Sequence, residues 1–330
     1  MMDKQLGSSA DDIYLSIIIP VYNEQASITE CSRRLTDTIQ NIGVQYELIF
    51  VDDGSQDRSL SILTELQKQD DHVKVVSFAR NHGHQLAVTA GLDYASGDAI
   101  VIIDADLQDP PELIPAMLDK YREGYDVVYG KRISREGDSA FKKATAWGFY
   151  RLLNKLTSCY IPPDTGDFRL VSRKAADAVR GMREHNRFLR GIFAWIGFRQ
   201  TAVEFERDKR FAGETKYPLG KMLKLAGDGV FSFSLKPLGW IALSGVGAAA
   251  AGIVWLLGLL ILALAGRAGG DFGFLLSLVC AIFIECTGWI LAALGVVGMY
   301  VGRIYQEVQG RPLYLVASSS GFDSGAYKKS

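Results

Sequence analysis

Ala99-Ile100-Val101-Ile102-Ile103-Asp104-Ala105-Asp106-Leu107-Gln108 joins five consecutive apolar residues to two carboxylates one residue apart, followed by an amide. An apolar run this short, closed by the turn Asp109-Pro110-Pro111, reads as a buried strand. It delivers a cluster of oxygen ligands at its carboxyl end. Such a set suits a hard divalent cation, Mg2+ or Mn2+, and that cation in turn suits a diphosphate. Acids at strand ends are also common turn formers, so the rest of the chain has to decide between the two.

Upstream, Leu15-Ser16-Ile17-Ile18-Ile19 reads as a strand stopped by Pro20, and residues 27–42 as a helix. Residues 47–51 form a second strand ending at Asp52-Asp53-Gly54-Ser55, 58–69 a helix, 73–78 a third strand and 84–95 a third helix. Downstream, Pro110-Pro111-Glu112 opens another helix, with a proline suited to its first turn, and Val127-Val128-Tyr129 is a short strand. This alternation predicts an α/β fold with a mostly parallel sheet and helices on both faces. Ligands of such sheets bind at the carboxyl ends of the strands, where these polar clusters fall. Residues 139–196 look mostly helical, broken at Ile161-Pro162-Pro163-Asp164-Thr165-Gly166, which leaves Asp167 and Arg169 in a loop rich in Pro and Gly. Residues 201–206 alternate like a strand. No GxGxxG follows the first strand and no Walker-type Gly-Lys-Ser/Thr occurs, so nucleotide binding here is neither dinucleotide-type nor P-loop-type.

The 330 residues carry 22% charged side chains and a net charge of −1, an average that hides an uneven distribution. No charge lies between Lys236 and Arg267, and only Glu285 lies between Asp271 and Arg303. Each stretch exceeds the ~20 residues that cross a bilayer core; a buried core helix is the alternative. The short link Gly266-Arg267-Ala268-Gly269-Gly270-Asp271 makes them an antiparallel hairpin, with spans at about 238–265 and 273–302. Arg207 to Lys224 holds six Lys/Arg against two acids, and Arg303, Arg311, Lys328 and Lys329 follow the hairpin. The positive-inside rule then places the large domain and both termini in the cytoplasm, on a multi-pass protein of the inner (plasma) membrane. The polar segment Met1 to Asp12 carries no signal peptide, and residues 219–233 read as an amphipathic helix on the membrane surface. The expected organisation is a cytoplasmic domain over 1–210, a loop and juxtamembrane helix over 211–236, the hairpin over 237–302, and a tail over 303–330. Cys31, Cys159, Cys280 and Cys286 have no CxxC spacing and imply neither a disulfide framework nor a zinc site. Glu285, beside the small residues Cys286, Thr287 and Gly288, suggests packing between helices or subunits. A metal–diphosphate site tethered to a membrane points to an enzyme that joins a soluble activated donor to a lipid acceptor.

Ile18-Ile19-Pro20-Val21-Tyr22-Asn23-Glu24, Val51-Asp52-Asp53-Gly54-Ser55, Asp104-Ala105-Asp106-Leu107-Gln108 and Gly166-Asp167-Phe168-Arg169-Leu170, in this order, resemble the family 2 glycosyltransferases. More narrowly the chain resembles the polyprenyl-phosphate glycosyltransferases, the group of dolichyl-phosphate mannose synthase and the bacterial bactoprenol glucosyltransferases, and its two C-terminal spans match the bacterial branch. The resemblance implies a GT-A nucleotide-diphospho-sugar transferase domain and inverting transfer of one hexose to undecaprenyl phosphate. The donor would be a nucleotide sugar, with UDP-glucose the first choice; mannose, N-acetylglucosamine and modified arabinose donors share the motif set. It also implies a cation held by Asp106 and Gln108, with Asp104 facing the ribose or the metal's water shell. The base and ribose would lie at Pro20, Tyr22, Glu24 and Asp53. Asp167 becomes the catalytic carboxylate, either a base or a group that orients a substrate, with Arg169 beside it. Arg132, Arg169, Arg210 and Lys216 would hold phosphate oxygens, the last two from a mobile loop. Self-association follows from the same resemblance, and no nucleic-acid partner is expected. Arg80-Asn81-His82-Gly83-His84-Gln85 opens a helix whose N-terminus favours anions; His82 and His84 read instead as plain solvent-facing residues, and His82 is assigned no chemistry.

Three rivals remain. A processive polysaccharide synthase normally has more spans and a Gln-x-x-Arg-Trp motif, which is missing here. A membrane-anchored sugar-nucleotide or lipid sensor would not need the intact acid cluster and Asp167. A small transporter would have only two spans from which to build a path.

Overall fold

The structure is a computed structural model that describes residues 14–133, 151, 162, 165–206, 236–264 and 272–322. The described residues fall into two units, one comprising those up to Glu206 together with those from Pro312 onward, the other the long helices between them. In the first unit, chain order runs β1 (Tyr14–Val21), α1 (Ile28–Ile42), β2 (Gln45–Asp52), α2 (Ser59–Gln69), β3 (Val73–Phe78), α3 (His84–Tyr94) and β4 (Ala99–Ile102). A 3-10 turn (Pro111–Leu113), α4 (Ile114–Arg122), β5 (Val127–Arg132), β6 (Thr165–Ser172), α5 (Arg173–Gly181), α6 (Leu189–Trp195) and β7 (Gln200–Phe205) follow. The unit closes with β8 (Val316–Ser320).

These strands form one sheet in the order β7-β5-β6-β4-β1-β2-β3-β8. The pairs β1–β2, β1–β4, β2–β3 and β5–β7 are parallel, whereas β6 runs antiparallel to β4 and β5, and β8 antiparallel to β3. The mostly parallel α/β sheet expected from the alternation is therefore present, in mixed form. Its central strands are apolar on both faces because helices cover both. Leu15, Ile17 and Ile19 pack in one core with Ile28, Leu35 and Ile39 of α1 and Met117 and Leu118 of α4. Ile18 points the other way, against Gly91 of α3, where an added Cβ would sit 2.1 Å from Ile18 Cγ2.

Three strand readings change. β1 does not stop at Pro20: it pairs with β2 through Val21↔Asp52, and the missing N–H of Pro20 falls beyond the last β1–β4 rung at Ile18↔Ile102, where no donor is needed. Asp167 and Arg169 do not lie in a loop but on β6, inside the sheet. Residues 316–320, read as part of a polar tail, form β8 on the edge of β3.

The tail is fastened by more than its strand. Tyr314 stacks on Phe78 at 5.0 Å between ring centroids, and its hydroxyl donates to Asp93 Oδ2 at 2.7 Å. Arg183 holds the same carboxylate at 2.8 Å. β8 thus covers what would otherwise be an open edge with unpaired backbone groups.

The second unit holds α7 (Lys236–Leu264) and α8 (Phe272–Val308), helices of 29 and 37 residues. Among the described residues one stretch, Glu285–Val308, is long and apolar enough to cross a membrane. The expectation of two spans is thus matched by a single stretch of that kind. The α8 helix also continues past residue 302, where the second span was expected to end. The juxtamembrane helix of 219–233 lies outside the described residues.

Ending the chain after Gly310 should strip the cover from β3. The expected outcome is a Tm lowered by about 4–8 °C, equivalent to about 2 kcal/mol, and increased light scattering on heating. An unchanged Tm would show that β8 contributes nothing to the sheet.

Candidate active site

β1, β2 and β4 end side by side, and each passes its polar residues into one rim. At the end of β2 the two acids divide the work. Asp52 closes its own turn, accepting from Ser55 N at 3.1 Å and Ser77 Oγ at 2.8 Å. Asp53, 3% exposed, accepts from the backbone N–H of His82 (2.6 Å) and Gly83 (2.8 Å) and from Asn81 Nδ2 (2.9 Å). Burial pushes the Asp53 carboxyl up to about 6, against the pull of those two N–H groups. The carboxylate assigned to a nucleotide thus holds the loop 81–83 in place. Gly54 makes this possible: its φ is +67°, and an added Cβ would lie 2.6 Å from the Arg80 carbonyl carbon.

The loop after β1 is laced to the same turn. Asn23, at φ +54°, donates its N–H to Ser55 Oγ and accepts from Gln56 N. Glu24 N donates to Ser59 Oγ, and the Glu24 carboxylate accepts from Ser27 Oγ at 3.2 Å. Tyr22 remains partly exposed on this rim.

After β4 the backbone kinks. Leu107, buried at 2% exposure, adopts φ +58°, a left-handed conformation costly for a side chain of its kind. The kink brings Asp106 Oδ1 to within 3.1 Å of Gln108 N, so the two expected ligands share one short turn. Among the described residues no group of three or more His, Cys, Asp or Glu side chains is placed to hold a metal ion. The donors present are two carboxylates and an amide, all oxygen. That open set fits Mg2+ or Mn2+, which commonly take one or two carboxylates and leave other positions to substrate phosphates.

β6 delivers the remaining chemistry. It pairs with β4 through Ile102↔Arg169, so Asp167 projects where Asp104 leaves β4. Between them stands His84, the first residue of α3. Its Nε2 lies 3.2 Å from Asp167 Oδ2 and 3.7 Å from Asp104 Oδ1. Nε2 meets no acceptor at a hydrogen-bonding angle, so both contacts act through charge when the ring is protonated. On its other side Asp167 is forked by Arg190, with Nε at 2.8 Å from Oδ1 and Nη2 at 3.2 Å from Oδ2. Burial works against the charged His84 ring, but Asp104 and Asp167 outweigh it and raise the ring to about 9. Burial also works against the Asp167 anion, yet Arg190 and His84 hold its carboxyl well below the usual range. For Asp104, burial with its acidic neighbours raises the carboxyl.

The arginines divide. Arg132, at the end of β5, approaches buried Asp109 at 3.7 Å and lies against Gly166, where an added Cβ would come within 2.9 Å of its Nη2. Arg169 is 4% exposed, donates Nε to the Asp167 carbonyl and Nη2 to the Gly166 carbonyl, and packs over the Phe193 ring at 4.7 Å. It therefore braces the strand that carries Asp167. Arg210 and Lys216 lie outside the described residues. Two residues that the sequence reading gave no part in the site, His84 and Arg190, flank Asp167. His84 was passed over as a plain polar residue, and nothing in the local sequence ties Arg190 to a residue 23 positions earlier.

A parallel-centred sheet that gathers acids at the carboxyl end of β4 defines a GT-A-like α/β fold. Residues 16–180 match the family model described as glycosyl transferase family 2. The chain belongs to that family. It is 49% identical to the uncharacterised glycosyltransferase YkcC of Bacillus subtilis (strain 168), covering 94% of this chain and 96% of that one. It is 38% identical to the bactoprenol glucosyl transferase of Shigella phage SfII, covering 92% and 98%. The prophage bactoprenol glucosyl transferase homolog of Escherichia coli (strain K12) is also 38% identical, again over 92% and 98%. Among solved structures, the glucosyl-3-phosphoglycerate synthase of Mycobacterium tuberculosis overlaps 66% of this chain and 78% of its own at 22% identity and a TM-score of 0.43.

The pH dependence of stability follows from these shifts. His84, raised above its unfolded value of about 6.5, contributes stability that is full below that pH and is lost as pH rises through about 9. Asp167, depressed, contributes above about 3.9 and loses its share as pH falls through its lower folded value. The Tm advantage of wild type over His84→Gln should therefore be largest between about pH 4 and 6.5 and shrink toward pH 9. A gap that stays constant across that range would remove the charge from the explanation.

Proposed function

We propose that this protein transfers a single hexose, with glucose from UDP-glucose the best candidate, to undecaprenyl phosphate at the cytoplasmic membrane face with inversion at the anomeric carbon. The product would be a polyprenyl-phosphate sugar for cell-envelope glycosylation. The observation that carries the reading is the near full-length match to relatives named bactoprenol glucosyl transferase, together with the acid cluster on the strand-end rim. The apolar side chains exposed along α7 and α8, among them Trp240, Leu257, Phe283, Trp289 and Leu294, support embedding both helices in the membrane as a hairpin that presents the lipid. The same surfaces offer room for self-association.

In this reading an oxygen of the lipid phosphate forms a bond to the anomeric carbon as the bond from that carbon to the nucleoside diphosphate breaks. The lipid phosphate has a second pKa near ~6 and is already ionised at neutral pH, so no side chain has to remove a proton from it. Asp167, held far below the usual carboxylate range, is a weak proton acceptor, which favours an orienting role over that of a base. Asp106 and Gln108 would hold the divalent cation, with Asp104 at the ribose or the cation's water shell. When bound, the cation neutralises the charge developing on the departing diphosphate. Pro20, Tyr22 and Glu24 would meet the base and ribose, with Asp53 shaping that pocket through the loop it pins. Arg132 would meet diphosphate or lipid-phosphate oxygens, joined by Arg210 and Lys216, and Arg169 would keep Asp167 in place.

Asp106→Ala should lower transfer by about a hundredfold or more and weaken UDP binding, and EDTA should act likewise on the wild type. Gln108→Ala removes a neutral ligand and should be milder. Full activity in EDTA would end the metal assignment. The reaction itself is tested by incubating the purified protein with undecaprenyl phosphate and a panel of UDP- and GDP-sugars, followed by mass spectrometry. A lipid-linked hexose is expected, and first from UDP-glucose. Nucleotide binding without turnover of any donor would favour the sensor instead.

A further inference from the structure

His84 is placed with unusual care for a residue with no assigned chemistry. The loop before it is pinned to Asp53 through the N–H groups of His82 and Gly83, and α3 begins on His84 itself. The ring then stands between two carboxylates that come from different strands, Asp104 after β4 and Asp167 on β6. Asp167 faces His84 from α3, Arg190 from α6 and Asp104 across the rim, while Arg169 on its own strand takes its carbonyl oxygen. Acid and base alternate in the order Asp104, His84, Asp167, Arg190.

The alternation has a chemical consequence. Without the imidazolium, two carboxylates would crowd a partly buried site, and one of them would take up a proton. With it, a positive ring separates the two, and Asp167 remains an anion. A carboxylate forked by an arginine and pressed by an imidazolium is a poor base, but it is a hydrogen-bond acceptor of fixed direction. A hexose offers several hydroxyl donors. We propose that His84 and Arg190 are positioning residues: they fix Asp167 as an ionised acceptor for a hydroxyl of the sugar being transferred, and His84 spaces it from Asp104. The inference rests on the transferase reading above and deepens it, by naming what sets the geometry at Asp167.

The test uses the full chain in detergent, with radiolabelled UDP-glucose and undecaprenyl phosphate as probes. His84→Gln and Arg190→Gln should each lower kcat by about 10- to 100-fold. They should leave the Kd for UDP within about twofold, since the diphosphate is held elsewhere. Each should also steepen the acidic limb of the pH–rate profile beyond the single protonation that the lipid phosphate gives wild type, because the Asp167 carboxyl, having lost a positive neighbour, rises toward the assay range. Arg190→Lys should flatten that limb again by restoring the charge. Wild-type kcat and an unchanged profile in both Gln variants would overturn the proposal. So would parallel losses of kcat, UDP affinity and Tm, which would mark a merely structural role. Nitrogen-15 NMR of the imidazole rings supplies a readout that needs no turnover: the His84 ring should titrate near 9 in wild type and fall toward about 6.5 in Asp167→Asn. A His84 ring that titrates at its ordinary value in wild type overturns the proposal whatever the activity. No transfer from any donor, with His84 shifted as expected, would instead overturn the transferase reading and the sugar role with it.

Discussion

The candidate site depends on one pairing, the antiparallel seat of β6 against β4. Because the register is Ile102↔Arg169, two steps along each strand in opposite directions lead to Asp104 and Asp167. A one-residue slip would send Asp167 to the other face of the sheet and carry Phe168 out of the core. Phe168, 1% exposed and edge-on to Phe205, resists that slip. The hydrophobic pattern of β6 thus sets the position of a charged group.

Once the two acids are together, electrostatics decides what the rim can be. Two unit charges 4 Å apart interact by about 4 kcal/mol at an effective dielectric of ~20, several times the ~1 kcal/mol net worth of an ordinary hydrogen bond. An unrelieved pair of carboxylates would therefore override the hydrogen bonds that shape the turns. His84 and Arg190 relieve it from two different helices, and Asp53 relieves the cost of its own burial by accepting three N–H donors. The loop between β3 and α3 serves both arrangements: its amides hold Asp53, and its end supplies His84. The buried Asp53 carboxylate and the ion pairs of His84 are thereby coupled through four consecutive residues, Asn81 to His84.

The far edge of the sheet follows a separate logic. The polar residues of β8 contribute backbone pairing, and the anchoring falls to Tyr314, which unites Phe78 on β3 with Asp93 on α3. A segment with little apolar content holds its place because a strand edge supplies hydrogen bonds and one aromatic residue supplies the packing.

Much of this was legible in the sequence. The apolar runs that became β1 to β4, the helices between them, and the acids and amide after β4 all follow from short-range patterns, because each element announces itself by local periodicity. Family membership follows from four motifs in order. Two strands were not legible. β6 carries Gly166, Asp167 and Arg169, and β8 ends in Ser318, Ser319 and Ser320; neither has the apolar density of a strand, and both exist because a neighbouring edge recruits them. The ion pairs of Asp167 were equally hidden. Nothing within reach of His84 or Arg190 along the chain marks them as its partners, since opposite charges attract through space and only the folded sheet brings them within 4 Å. The sequence by itself determined strands β1 to β4 and the acids after β4; the tertiary structure decided where β6 and β8 join the sheet and which bases face those acids.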